Sequence, residues 1–176
     1  MTDTLKAGNS VLRVIKDDIT NLDIESFVYY ARSDLKLGSG FGGAITVRGG
    51  PSIQAELDKM EPLERCGAVV SEAGELKASK IIHANGPKFQ EEETEDKLKT
   101  TVINALTAAE KAGVNRVAFP PMGTGFYGVS LAVSAKITMG AIKDYLENGS
   151  KLTEVVICAM DNHEYKPFAA QLTELG

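Results

Sequence analysis

The stretch "PPMGTGFYG", Pro120–Gly128, follows an apolar run, precedes a long amphipathic one, and sets three glycines where the chain turns from strand to helix. Gly123, Gly125 and Gly128 expose backbone N–H groups just before a helical pattern that opens at Val129, so amides and helix dipole converge where an anion can sit. The loop carries no lysine, which excludes a P-loop of the G-x-x-x-x-G-K-[ST] kind. A phosphate beside Thr124 would be held mainly by backbone. Phe126 and Tyr127 add bulk between the glycines; such groups either wall a pocket or pack on the core.

Working outward, "RVAFP" reads as the strand before this loop, "VSLAVSAKITMGAIKDYLENG" as the helix after it, and "EVVICAM" as a further strand, with a closing helix after Pro167. Upstream, "VLRVIK" (Val11–Lys16) and "FVYYA" (Phe27–Ala31) are strands rich in β-branched and aromatic residues. The pattern from Phe41 to Met60 is helical, interrupted at "GGPS", where Pro51 suits the first turn of a second helix. "GAVVSEAG" and "KIIHAN" form two strands around a turn. "QEEETEDKLKTTVINALTAAEKAG" is a helix whose early carboxylates and late lysine complement its macrodipole, with Gly113 as C-cap. Glu91–Asp96 reads as the solvated start of that helix.

Strands alternating with helices, several of them apolar without strict alternation, predict an α/β fold: a three-layer α/β/α sandwich with a central mixed sheet. At 176 residues, 43% of them hydrophobic, the chain supports one full core rather than two, so a single domain over 1–176 is expected, with residues 1–10 flexible or loosely packed. The net charge of -5 offers no general attraction to nucleic acid or anionic membranes, which favours small-molecule or protein partners. Cys66 and Cys158 lie outside any C-x-x-C or Cys/His cluster, so reduced, buried thiols are expected, with no metal and no cofactor. The polar start and the lack of an apolar run near the roughly 18 residues of a membrane span predict a cytoplasmic protein.

In such sandwiches ligands sit beyond the carboxyl ends of the strands, which selects four loops. In "KDDIT", Asp18 can accept from an amino group or simply cap a turn with Thr20. "RSDLKLGSGFGGAI" satisfies G-x-G-x-x-G at Gly38, Gly40 and Gly43, but six residues separate it from its strand and the ribose-binding acid is missing, which argues against a dinucleotide fold. It is a phosphate cradle or a flexible turn. The Pro120–Gly128 loop is the third. In "CAMDNHEY", Met160 ends the last strand, Asp161 or Asn162 starts the last helix, and the methionine can pack in the core or lie against a flat base.

Together these segments resemble the macro domain, a family that binds ADP-ribose and in some members hydrolyses its linkages. "DDIT" is similar to G-D-I-T, "GSGFGGAI" to G-G-G-V-x-x-A-I, "IIHANGP" to H-x-V-G-P, and "FPPMGTGFYG" to P-x-x-S-x-G-I-Y-G, in family order over nearly the whole chain. The resemblance implies a diphosphate held between Ser39, Gly40, Phe41 and Gly42 on one side and Gly123–Gly128 on the other. It implies Asp18 at the adenine amino group, the backbone of Ile19 beside it, and Met160 where the family often has an aromatic residue.

The departures bear on chemistry. The family's N-A-A-N is "YYAR" here, so Tyr29 and Arg32 replace asparagines, and a guanidinium offers donors only. Ser39 replaces the middle glycine, and Gly42 stands where one hydrolase class carries an aspartate. Asp34 is the nearest acid. His83 reads as structural. The expected function is therefore binding of ADP-ribose, free or on a modified protein, or of a related nucleotide diphosphate, without efficient hydrolysis by the usual family route. The alternatives are a hydrolase with rearranged residues, using Asp34 or Arg32, and a ligand-less fold serving protein or RNA interaction. An inward-pointing Arg32 would favour a ligand with an extra anionic group near the distal ribose.

Overall fold

Strand β3 (Ser26–Tyr30) is buried along all five of its residues. Its alternation sends Phe27 and Tyr29 into one apolar cluster and Val28 and Tyr30 into another. A strand covered on both faces needs a helical layer on each side. The computed structural model, which describes residues 3–176, supplies both layers.

The sheet adds β1 (Thr4–Ala7), β2 (Ser10–Lys16), β4 (Ala68–Glu72), β5 (Lys80–Ala84), β6 (Arg116–Phe119) and β7 (Glu154–Ala159), in the order β1-β2-β7-β6-β3-β5-β4. The five inner strands run parallel, and β1 and β4 close the edges antiparallel. Helices α1 (Gly40–Gly49) and α2 (Ser52–Leu57) cover one face, where Ile45, Ile53 and Leu57 meet Phe27 and Ile81. On the other face α3 (Thr94–Lys111), α4 (Leu131–Glu147) and α5 (Asn162–Leu175) bring Leu98, Leu106, Met139, Ile142 and Phe168 against Val28, Ile82 and Ile157. Each such side chain taken out of water contributes about 1.5–3 kcal/mol, so the two clusters fix the layers.

Three expectations are corrected. The N-terminal segment is not loosely packed: Thr4–Ala7 pairs with β2 from Thr4↔Arg13 to Ala7↔Ser10, and the buried Ser10 hydroxyl donates to the Leu152 carbonyl. "TLKA" has little periodicity of its own and is ordered by backbone pairing; Met1 and Thr2 lie outside the described residues. Of the two starts read for the last helix, the one after Pro167 is replaced by the one at Asp161 or Asn162. It starts at Asn162 because the Asp161 carboxylate accepts from Glu164 N–H at 2.9 Å while the Glu164 side chain accepts from Met160 N–H at 2.7 Å, a reciprocal cap that leaves Pro167 inside the helix. Of the two thiols, Cys158 is buried but Cys66 is only half-buried.

His83 is a core residue of β5, its Nε2 2.8 Å from the Ser71 hydroxyl. Burial lowers its pKa from 6.5 to about 4. The unfolded chain therefore takes up a proton near pH 6.5 that the folded protein refuses until about pH 4, and stability falls as pH drops through that window. Urea denaturation across this range should show the loss, and His83→Gln should flatten it; an equal pH slope in the variant would show that another group is responsible.

Candidate functional site

Strands β2, β7, β6 and β3 are neighbours in the sheet and parallel, so their carboxyl ends emerge along one edge. The four loops that follow them line one cleft of about 940 Å³. That volume is within the range of small-molecule sites.

At the β2 end, Asp18 caps a 3-10 turn, Ile19–Asn21, as the second of its two readings expects. Its Oδ1 accepts from Thr20 N–H at 3.0 Å and from the Thr20 hydroxyl at 2.7 Å. Its Oδ2 lies 2.8 Å from Nη1 of Arg48, in the last turn of α1. Ile19 lines the same end, and Met160 stands over it with 73% of its surface exposed. Behind them the Cys158 thiol points at the Asp17 carbonyl at 3.4 Å. Burial, with the Asp17 carboxylate second, pushes that thiol up to about 12, which leaves it no thiolate character.

Two glycine loops form the middle. Between β3 and α1, Gly40 takes φ +61°, a conformation that favours glycine, and a Cβ there would meet nothing within 4 Å. Ser39 caps α1 with no side-chain hydrogen bond, so the first amides of the helix have no partner from their own cap, while Phe41 lies edge-on to Tyr29 with ring centroids 5.0 Å apart. In the loop after β6, Gly123 has φ +76° and its carbonyl accepts from Val129 N–H at 2.9 Å. Tyr127 packs on Tyr30 at 4.6 Å, and Phe126, 88% exposed, stands edge-on to Tyr127. Thr124 lines the cleft; Gly125 does not, its φ of +66° serving instead to start a 3-10 turn over Gly125–Tyr127.

The helix after this loop begins later than its sequence suggests. α4 opens at Leu131, and the Ser130 hydroxyl already accepts from Val133 N–H. Of the helices α1 and α4, α1 is the one whose first residues, Gly40–Gly42, line the cleft.

The distal end carries the departures from the family pattern. Tyr29 turns into the core and donates its hydroxyl to the Leu37 carbonyl at 3.1 Å. Burial raises this phenol to about 12, so it stays protonated. Arg32 lines the cleft, but its side chain, 57% exposed, pairs its guanidinium with Asp34 at 2.8 Å. An extra anionic group on a ligand would compete with Asp34 for this guanidinium. Asp34 accepts from Lys36 N–H at 3.0 Å, and that bond, with Arg32 beside it, holds its carboxyl below the usual range, a weak base. At Gly42 a Cβ would come within 1.8 Å of the Leu37 carbonyl oxygen and 2.6 Å of the Tyr29 hydroxyl. No side chain fits there unless the loop moves.

The cleft also takes groups that sequence reasoning missed: Tyr30, Pro120, Pro121 and Glu164 line it, and Arg48 reaches Asp18. The D-x-x-E spacing of Asp161 and Glu164 was a readable signal for one of these. Arg48 had none, because its partner is 30 residues away in the chain. Among the described residues no group of three or more His, Cys, Asp and Glu side chains could hold a metal ion, and no helix is long and apolar enough to cross a membrane.

A family model described as the macro domain matches residues 29–138. The chain belongs to the macro domain family. It is 34% identical over 170 residues to a macro domain-containing protein of Caldanaerobacter subterraneus, covering 93% of this chain and 97% of that one. It is 30% identical over 173 residues to an O-acetyl-ADP-ribose deacetylase of Escherichia fergusonii, covering 95% and 98%. The fold of the Oceanobacillus iheyensis macrodomain with ADP superposes with a TM-score of 0.92 at 23% identity, covering 98% of this chain and 95% of that one. The Trypanosoma brucei macrodomain in complex with ADP-ribose gives 0.85 at 23% identity, covering 94% and 69%.

The contact between Tyr29 and Leu37 makes Gly42 sterically closed. Gly42→Ala should lower stability by about 1–3 kcal/mol in chemical denaturation, from overpacking against backbone. Tyr29→Phe followed by Gly42→Ala should cost less than the sum of the two changes, since the hydroxyl is one of the clashing atoms; strict additivity would place the strain elsewhere.

Proposed function

We propose that this macro domain binds ADP-ribose or a related nucleotide diphosphate, free or on a modified protein, and does not hydrolyse it efficiently by the family's usual route. The observation that carries this reading is the meeting of the two glycine loops, Asp18 and Met160 in one cleft. The amides of Ser39–Gly42, at a helix N-terminus with no side-chain cap, suit one side of a diphosphate, and those of Gly123, Thr124, Phe126 and Tyr127 the other. Asp18 accepts the adenine amino group, the Ile19 amide lies beside it, and Met160 supplies a soft wall for the ring, weaker than an aromatic one.

Hydrolysis needs a group that takes a proton from water within hydrogen-bond reach of the scissile bond. At the distal end Arg32 can only donate, Asp34 is tied to Arg32 and Lys36, Tyr29 is buried and protonated, and position 42 carries no side chain. A second reading, a hydrolase with rearranged residues, draws support from the 30% identity to an O-acetyl-ADP-ribose deacetylase.

Isothermal titration with ADP-ribose, AMP and ADP-ribose 1''-phosphate tests the first reading. ADP-ribose should bind saturably and more tightly than AMP, and Asp18→Ala should weaken it by about tenfold or more, the worth of a hydrogen bond to a charged group. Incubation with ADP-ribosylated protein or O-acetyl-ADP-ribose should release no ADP-ribose; release would replace the first reading with the second. Arg32→Asn should raise ADP-ribose affinity, and an unchanged affinity would show that Arg32 does not obstruct the distal ribose.

A further inference from the structure

Asp18 is held from two sides, and the two sides differ in what they leave open. Oδ1 accepts both bonds from Thr20, at 3.0 and 2.7 Å, which fix the orientation of the carboxylate. Oδ2 takes neither of these and instead faces Nη1 of Arg48 at 2.8 Å. Arg48 stands one turn beyond Ala44, the last of the α1 residues Gly40, Phe41, Gly42 and Ala44 that line the cleft, and meets the cleft through its contact with Asp18. Among the described residues Arg48 makes no other ion pair.

A ligand donor that reaches Asp18 must use Oδ2, and it therefore arrives beside a guanidinium. Guanidinium presents five N–H donors and no acceptor. The ligand atom next to that donor has to be an acceptor, because a second N–H would meet another N–H. A 6-aminopurine satisfies both partners: its amino group is a donor, and ring nitrogens that accept flank it. A 6-oxopurine sets a carbonyl where the amino group stood, and that carbonyl would face the carboxylate oxygen lone pair to lone pair.

We infer that Arg48 is a specificity-determining residue for the base, donating to a ring nitrogen beside the amino group that Asp18 accepts. The inference rests on the reading of the cleft as a nucleotide site. It gives α1 two tasks, its N-terminus serving the phosphates and its last turn serving the base. The pair reads amino group and ring nitrogen together, which the carboxylate alone cannot do.

Titrations of ADP, 1-deaza-ADP, 7-deaza-ADP and IDP into the wild-type protein and into Arg48→Met decide it. Methionine keeps an apolar stem and removes every donor. The wild-type protein should bind ADP about tenfold more tightly than the deaza analogue lacking the accepting nitrogen. Arg48→Met should bind ADP about tenfold more weakly, treat ADP and that analogue alike, and still prefer ADP to IDP through Asp18. A purely structural role for Arg48 would weaken all four ligands equally and leave the deaza preference in place, which overturns the inference. So would a variant that binds ADP as tightly as wild type, or a wild type indifferent to both deaza analogues. If wild type binds neither ADP nor ADP-ribose, the nucleotide reading fails and the inference with it.

Discussion

The backbone of β3 is paired on both edges, to β5 and to β6, and its side chains are buried on both faces. That double constraint places the residues after the strand. Because Tyr29 is committed to the α1 side, its hydroxyl meets Leu37 and draws the following loop across the strand end. Because Tyr30 is committed to the other side, it donates to the Pro87 carbonyl and supports Tyr127. Two neighbouring tyrosines pointing in opposite directions thus tie both glycine loops to one strand. The cleft lies between loops whose separation is set by a rigid sheet.

The electrostatics of the cleft follow from where each charge finds its partner. Asp18 leans on Thr20 and Arg48, Asp34 on Arg32 and Lys36, and Glu164 on the Met160 amide. Acids that read as isolated along the chain are each taken up by local structure. What stays open is backbone, chiefly the start of α1. Backbone amides held this way can meet an anion with fixed dipoles, at little reorganisation cost.

Much of this was legible in the sequence because it rests on local chemistry. Apolar runs bounded by turns gave the inner strands, Gly49–Ser52 marked the break between α1 and α2, and the loops following β2, β3, β6 and β7 were recognisable as loops of one edge. β1 was not legible, since "TLKA" has no pattern apart from the strand it pairs with. The start of α4 was displaced because Ser130 competes with the glycines for the helix terminus. The direction of Arg32 and the pairing of Arg48 with Asp18 were out of reach for a different reason: both are side-chain choices made across loops, where no periodicity records the partner. Gly42 was visible as an absent carboxylate, but its being walled in by Leu37 and Tyr29 is a fact of three dimensions.

The sheet order has a consequence for how the cleft comes into being. β7 is the last strand in the sequence, yet it lies between β2 and β6 in the sheet. While a nascent chain lacks that segment, β2 and the loop carrying Asp18 have no parallel neighbour, and the two halves of the cleft stay unconnected. Domains fold as units as synthesis proceeds, and here the unit is incomplete until its final strand slots into the middle. Joining the loop that carries Asp18 to the loop after β6 therefore depends on β7, the strand between them.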